Sequence, residues 1–375
     1  MTRKTRNIVI GVVGLAMLLA ACGGGGSAGT DDSAITKEKT WTRTALATDA
    51  SGKQSEQPYA SVKAGSGKKV RICVLFPHLK DPYWVGLAYG THVEAQRTGA
   101  SYDLYAADGY GDLPGQIDQT EDCINSGKYD ALVIGAISGD GNCDTIRQAL
   151  AKDLVVVDSV NGTECGDEVT SNPRYARTLV SYRVLGETAA EYIAGLGRKL
   201  NLLALPGPQG VPWSDSLLGG LRDGLKGSKA QVVAAPRGDM DATVQLDLAR
   251  DALSADRAID AVFGTSVTMS AGITAVRDSG RDDIQLFNGA IDGDSYKGIE
   301  DGVIKVGASD LGPVIARMAI DTAVHLVDDP KGLPYKTIGP KPVLIDAKTI
   351  ADVPREDLLA PPGFKPVLNY GRSGK

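Results

Sequence analysis

Histidine is scarce in this chain, with three in 375 residues, and aromatic side chains make up only 5%. No CxxC pair, no HExxH helix and no Walker A loop is present, and no GxSxG elbow falls at a strand–helix junction. Those absences remove the usual zinc ligands, zinc-peptidase and hydrolase nucleophile signatures, and nucleotide phosphate cradle. They leave no enzyme class beyond a hydrolase built on scattered Asp, and no cofactor or metal is expected. Cationic excess is missing too. The formal charge is −6, and Arg3, Lys4 and Arg6 at the extreme N-terminus belong to the forty basic residues, so the remainder is more acidic still. Such a surface cannot neutralise phosphate and argues against nucleic acid as a partner. It also offers no polybasic attraction to anionic lipid.

Residues 1–21 pair a basic start with the apolar run Ile8–Ala21, shorter than the ~20 residues a mature membrane span needs. This is the layout of a secretory signal peptide. Leu19-Ala20-Ala21-Cys22 resembles a bacterial lipobox, which makes Cys22 the expected lipidation site; an ordinary signal peptide with a nearby Cys is the alternative. Gly23–Gly26 and Ser27 then suit a flexible tether. Residues 22–67 lack sustained apolar periodicity and read as a lipidated Cys plus partly disordered linker. Trp41 there reads as an isolated linker aromatic.

Four further cysteines, Cys73, Cys123, Cys143 and Cys165, fit an oxidising compartment and disulfides. Three connectivities are possible.

From residue 68 the pattern alternates. Lys69–Phe76 is a β-branched apolar run, as a doubly covered strand requires. Helical spacing follows over 83–98 and ends at Gly99. Strands are predicted at 102–107, 131–137, 154–160 and 177–182, with helices at 114–125 and 143–152. A second series places strands near 201–205, 231–235, 260–264, 284–287 and 303–307. Its helices lie near 184–198, 213–226, 242–254, 268–279 and 312–327. The fold class is therefore α/β, with two doubly wound parallel-sheet lobes. The first covers 68–180 with the return of 310–330, the second covers 181–309, and 331–375 is a hinge return and C-terminal tail. No long linker separates the lobes, so short extended segments would form a hinge. The helix after the second strand crosses over the first strand, which favours Cys73–Cys123. Cys143 and Cys165 both follow strands at the carboxyl edge, which favours their pairing.

In open parallel sheets ligands sit beyond the carboxyl ends of the strands. Asp81-Pro82-Tyr83-Trp84 lies there. Asp81 suits an N-cap and Pro82 the first helical turn. Tyr83 and Trp84 offer flat faces for sugar rings or methylated nitrogen, or else pack in the core. His78 on the same loop reads as a loop hydrogen bond. Arg237, after a second-lobe strand, faces either an anion or a surface carboxylate.

Four segments carry a resemblance: FPHLKDPYW (Phe76–Trp84), VSYRVLGETAAEYIAG (Val180–Gly195), AIDAVFGTSVTMSAGITAVRDSG (Ala258–Gly280) and FNGAIDGDSYKGIEDG (Phe287–Gly302). In that order they resemble the type I periplasmic binding proteins of the ribose-binding group, over about 70–330. The resemblance implies a hinged receptor that closes on a small solute and serves a membrane ABC permease or a sensor histidine kinase. The first segment is similar to the trimethylamine-N-oxide sensors within that family. Three sugar-binding positions depart from the family pattern, at Asp81, where ribose-type proteins have Asn, at Thr265-Ser266-Val267, and at Asn288, where the family has Asp. By resemblance to the sensors, Tyr83, Trp84, Tyr110 and Tyr182 fall on an aromatic box around the ligand. Trp213, opening a second-lobe helix, could supply a further wall or pack against the helix start. Asp292 and Asp310 lie in late loops, as ligand contacts or as solvated acids.

Overall fold

The structure is a computed structural model that describes residues 34–371 apart from 50, 210, 330 and 332. The expected signal peptide and Cys22 lie outside the described residues.

Chain order runs β1 (Thr42–Thr48), β2 (Gln54–Ala60), β3 (Arg71–Phe76), α1 (Pro82–Thr98), β4 (Ser101–Ala106), α2 (Leu113–Ser126), β5 (Ala131–Ile134) and α3 (Cys143–Ala151). It continues β6 (Val155–Ser159), α4 (Asp167–Thr170), β7 (Tyr175–Thr178), α5 (Tyr182–Gly195), β8 (Leu200–Leu205), α6 (Pro212–Gly224), β9 (Ala230–Ala234) and α7 (Ala242–Ala255). Then come β10 (Ala261–Gly264), α8 (Ser266–Ser279), β11 (Gln285–Asn288), α9 (Gly293–Glu300), β12 (Ile304–Ser309) and α10 (Gly312–Asp328). The last elements are β13 (Thr337–Pro340), β14 (Val343–Ile345), α11 (Arg355–Leu358) and β15 (Asn369–Tyr370).

Two sheets result. The first has the order β15-β4-β3-β5-β6-β7-β13-β1-β2, and its central strands are parallel. The second has the order β14-β12-β11-β10-β8-β9. Apart from the first residue of β3, every residue of β3, β5 and β8 is buried, as expected where helices cover both faces. α10 returns from the second lobe to pack against α1 and against β5, β6 and β7. Its approach to α1 is backbone on backbone at Gly90, where a Cβ would collide with the Pro313 carbonyl. The chain passes between the sheets at 179–181, 310–311 and 341–342, all short. Disulfides join Cys73 to Cys123 and Cys143 to Cys165.

The structure corrects three expectations. Residues 34–67 are not merely linker. β1 and β2 form an antiparallel hairpin that extends the first sheet by pairing with β13. A buried polar network holds the hairpin down. Trp41, 4% exposed, donates through Nε1 to Glu94 at 3.0 Å, and Arg317 lies over its ring at 4.5 Å. Glu94 also accepts from Arg97 and Arg317, Arg97 donates to Asp321, and the Tyr59 hydroxyl donates to Asp321 at 2.6 Å. Trp41 is thus core, not an isolated aromatic. Second, the strand predicted at 177–182 stops at Thr178, because Ser181 caps α5 and Tyr182 is its first residue. Third, the expected tail of 331–375 contributes strands to both sheets. β13 and β15 join the first sheet, and β14 joins the second beside β12.

Candidate functional site

The carboxyl ends of β3, β4, β6 and β7 lie in register, since Phe76 pairs with Ala106 and Ser159 with Thr178. The loops that follow them face those of the second sheet. Asp81 caps α1 with Oδ1, accepting from the Trp84 amide at 3.0 Å, and Pro82 sits in the first turn. That cap fixes the helix start at the strand edge and presents Tyr83 and Trp84 on the first turn.

The aromatic side chains close a ring. Trp84 meets Tyr83 edge-on at 6.0 Å, and the Tyr83 hydroxyl lies 3.4 Å from that of Tyr182. Tyr182 packs on Trp213 at 5.6 Å, and Trp213 on Tyr110 at 6.3 Å. His78 completes the circuit, 5.6 Å from Tyr110 and 6.1 Å from Trp84. Tyr83, Trp84, Tyr110 and His78 come from the first lobe, and Tyr182 and Trp213 from the second. The five aromatic side chains line a cavity of about 40 Å³, together with Asp81, Met240, Ser266 and Ala290, while His78 packs behind Trp84 and Tyr110 and lines the space outside. No Lys or Arg lines it. Outside it, a vestibule of about 280 Å³ shares Asp81, Tyr110 and Met240 as walls. A larger hollow of about 390 Å³ lies between α7 and α8, away from the strand ends.

Charge in the site is acidic and buried. The Tyr83 hydroxyl donates to Asp310 Oδ2 at 2.5 Å. Burial pushes the Asp310 carboxyl up to about 6, and the Tyr83 bond acts against that rise. Burial, then the Asp310 charge, holds both the Tyr83 and Tyr182 hydroxyls well above the ordinary tyrosine value. Burial raises Asp81 and lowers His78, and their 3.6 Å approach opposes both shifts. Burial also raises Tyr110, which accepts from Asn161 Nδ2 at 3.3 Å. The Trp213 indole turns toward the Tyr110 oxygen, yet its buried Nε1 reaches no partner at hydrogen-bond geometry.

The structure brings Asp81, Tyr83, Trp84, Tyr110, Tyr182 and Trp213 together at one cavity. Trp84 is also core. It is 1% exposed, packs on Phe76 at 4.9 Å, and its ring lies where a Cβ at Gly135 would come within 2.5 Å. Asn288 and Asp292 do not line the cavity. Asn288 is fully buried and turns Oδ1 to the Ala290 amide at 3.1 Å. Asp292 caps α9, accepting from the Ser295 amide at 2.9 Å, and also accepts from Ser266 Oγ at 3.2 Å. It supports the wall residue Ser266 from behind. Asp292 and Asp310 are each 2% exposed, so neither is a solvated loop acid. Arg237 faces no anion site, because it donates to Asp215 at 2.6 Å and to Ser214 Oγ at 2.7 Å.

Met240 and Ala290 escaped the sequence reading, and Ser266 entered it only within the stretch that departs from the sugar-binding pattern. Met240 sits in an irregular loop without periodicity. Ser266 has φ of +40°, a strained value for a non-glycine residue. Val160 and Leu311, at other strand ends, share that region. Among the described residues no group of His, Cys, Asp and Glu is arranged to hold a metal ion.

Known proteins share this fold. The periplasmic binding protein domain matches residues 72–331. The periplasmic protein TorT of Escherichia coli (strain K12) is 27% identical over 83% of this chain and 88% of its own length. The crystal structure of TorT with the TorS sensor domain in the presence of TMAO shares the fold, with a TM-score of 0.71 at 23% identity over 80% of this chain and 100% of that one. The ribose import binding protein RbsB of the same organism is 24% identical over 70% of this chain and 87% of its length. A solute-binding protein of an ABC transporter from Bradyrhizobium sp. BTAi1, crystallised with bound bis-Tris, is 35% identical with a TM-score of 0.76, covering 87% of this chain and 98% of that one. RbsB and the Bradyrhizobium protein are binding proteins by name, and TorT is periplasmic by name. A two-lobed α/β body with its cavity between facing strand ends, matched over most of its length, makes this chain a member of the periplasmic binding protein family.

Proposed function

We propose that the protein is an extracytoplasmic solute receptor, lipid-anchored at Cys22, that closes its two lobes on a methylated amine or amine N-oxide and presents it to an ABC importer. One observation carries this reading: five aromatic side chains from both lobes line a cavity that no Lys or Arg enters. Aromatic faces attract a positively charged, methylated nitrogen, worth roughly 0.5–2 kcal/mol per face. The Asp310 carboxylate behind Tyr83 adds to that field. A ligand touching both lobes favours the closed state by its extra contacts there. A sugar is the poorer fit. Val267 offers no hydrogen bond at a position where the ribose-type relatives carry polar groups, and each unpaired hydroxyl costs about 1–3 kcal/mol. The importer role rests on likeness to the Bradyrhizobium transporter component. Signalling to a membrane histidine kinase is the second reading, favoured by likeness to TorT, whose structure was solved with the TorS sensor domain.

Calorimetric titration of the secreted protein with trimethylamine N-oxide, tetramethylammonium, ribose and allose tests the ligand class. Binding of the first two with neither sugar is the expected result. Sugar binding alone would overturn the reading. Co-purification with a permease, or with a kinase sensor domain, separates the two partner readings. Release of a Cys22→Ser variant into the medium checks the anchor.

A further inference from the structure

The cage and the vestibule are two parts of one space. They share Asp81, Tyr110 and Met240, yet the inner part holds about 40 Å³ and the outer about 280 Å³. The inner part admits little more than a methylated nitrogen. The outer wall carries carboxylates, with Asp108, Asp239 and Asp241 beside Asp81. Its basic residues are Lys80, which pairs with Asp108, and His78, which burial holds toward its neutral form. In the inner part, Trp213 Nε1 is a buried donor, in a residue 6% exposed, that turns toward the shared wall residue Tyr110 without reaching hydrogen-bond geometry. A buried donor without a partner is costly unless a ligand atom supplies one. The group that suits a lone N–H on one side and carboxylates on the other is a hydroxyl, which accepts and donates at once.

We infer that the ligand is a hydroxyalkylammonium ion, with its methylated nitrogen inside the aromatic ring and its hydroxyl-bearing arm in the acidic vestibule. This deepens the cage reading and rests on it. Tyr83, Trp84 and Tyr182 hold the charge. Trp213 Nε1 and the Asp239 side of the vestibule read the arm.

Three probes test it by calorimetry on the full secreted chain: tetramethylammonium, choline and propyltrimethylammonium, the last matching choline in size but lacking the hydroxyl. Choline should bind about tenfold tighter than propyltrimethylammonium, as one hydrogen bond to a charged group allows. Asp239→Asn, on an exposed loop, should shrink that ratio toward one. Equal affinities for choline and propyltrimethylammonium, with tetramethylammonium also bound, overturn this inference and leave the cage reading standing. A ratio unmoved by Asp239→Asn overturns the assignment of the arm to the vestibule. Failure of all three probes to bind overturns both.

Discussion

Tyr83, in the first turn of α1, donates its hydroxyl proton to Asp310, in the crossing between the lobes, at 2.5 Å. One wall of the cage is thereby bonded to the hinge. The carboxylate that accepts this bond is buried one hydrogen bond behind the ring, so for the proposed cationic guest its protonation connects affinity to pH.

Burial lifts the Asp310 carboxyl to about 6. A cationic guest favours the ionised form, so affinity for tetramethylammonium should be full at neutral pH and should fall as pH drops through about 6. Once below that value the fall approaches tenfold per pH unit for one linked proton. Stability moves the other way. The folded state holds this proton more tightly than the unfolded chain, so the group's contribution is fully present below about pH 4 and is lost as pH rises through about 6. Titrations at pH 5, 6 and 7 check the first effect, and Asp310→Asn should flatten it. A wild-type affinity that is level across that range would contradict the role given to Asp310.

Trp84 and Tyr182 both line the ring, but only Trp84 is packed into the core. Trp84→Ala should cost ~3–5 kcal/mol of stability, as large aromatic truncations do. Tyr182→Ala, at a half-buried position, should cost much less and still weaken ligand binding about tenfold or more. Chemical denaturation alongside calorimetry separates the two effects. A Trp84→Ala protein as stable as wild type would show that the Phe76 contact contributes little.

Glu94 is the hub on which Trp41, Arg97 and Arg317 converge. Glu94→Ala leaves two buried guanidinium groups short of charge and the indole N–H without its acceptor. The expected loss is about 3–5 kcal/mol, as when one member of a buried ionic cluster is removed. Protease cleavage within 42–60 should accelerate first, because the hairpin is docked through this cluster. Unchanged cleavage there, measured by mass spectrometry, would mean that the pairing of β1 with β13 suffices.

The parallel core was legible because strands covered on both faces must be unbroken apolar runs, as Ala131–Ile134 and Leu200–Leu205 are. Asp81-Pro82 was legible as a helix start, and it located Tyr83 and Trp84. The hairpin was hidden for a physical reason. β2 is an exposed edge strand of mostly polar residues, and β1 pairs with Thr337–Pro340, almost 300 positions away. Local pattern carries no trace of such pairing. Asn288 matches a ligand position by resemblance and Asp292 was a candidate from its loop, yet each turns its side chain to a nearby backbone amide, at Ala290 and Ser295. Residue type alone does not distinguish a group that binds a guest from one that braces a loop. Met240 and Ala290 gave no signal, since an irregular loop has no period to read.

The crossing at 341–342 lies between Pro340 and Val343, in the run Pro340-Lys341-Pro342. Each ring locks one backbone torsion near −65°, and the residue before a proline is confined as well. Lys341 is further pinned by the hydrogen bond its backbone N–H donates to the Thr44 carbonyl. That strip is a stiff strut, so any parting of the jaws must be absorbed by 179–181 and 310–311. The second of these contains Asp310 itself. In the proposed receptor the turning joint would therefore contain a residue bonded to the wall of the chamber, and an occupant would reach the axle without a relay.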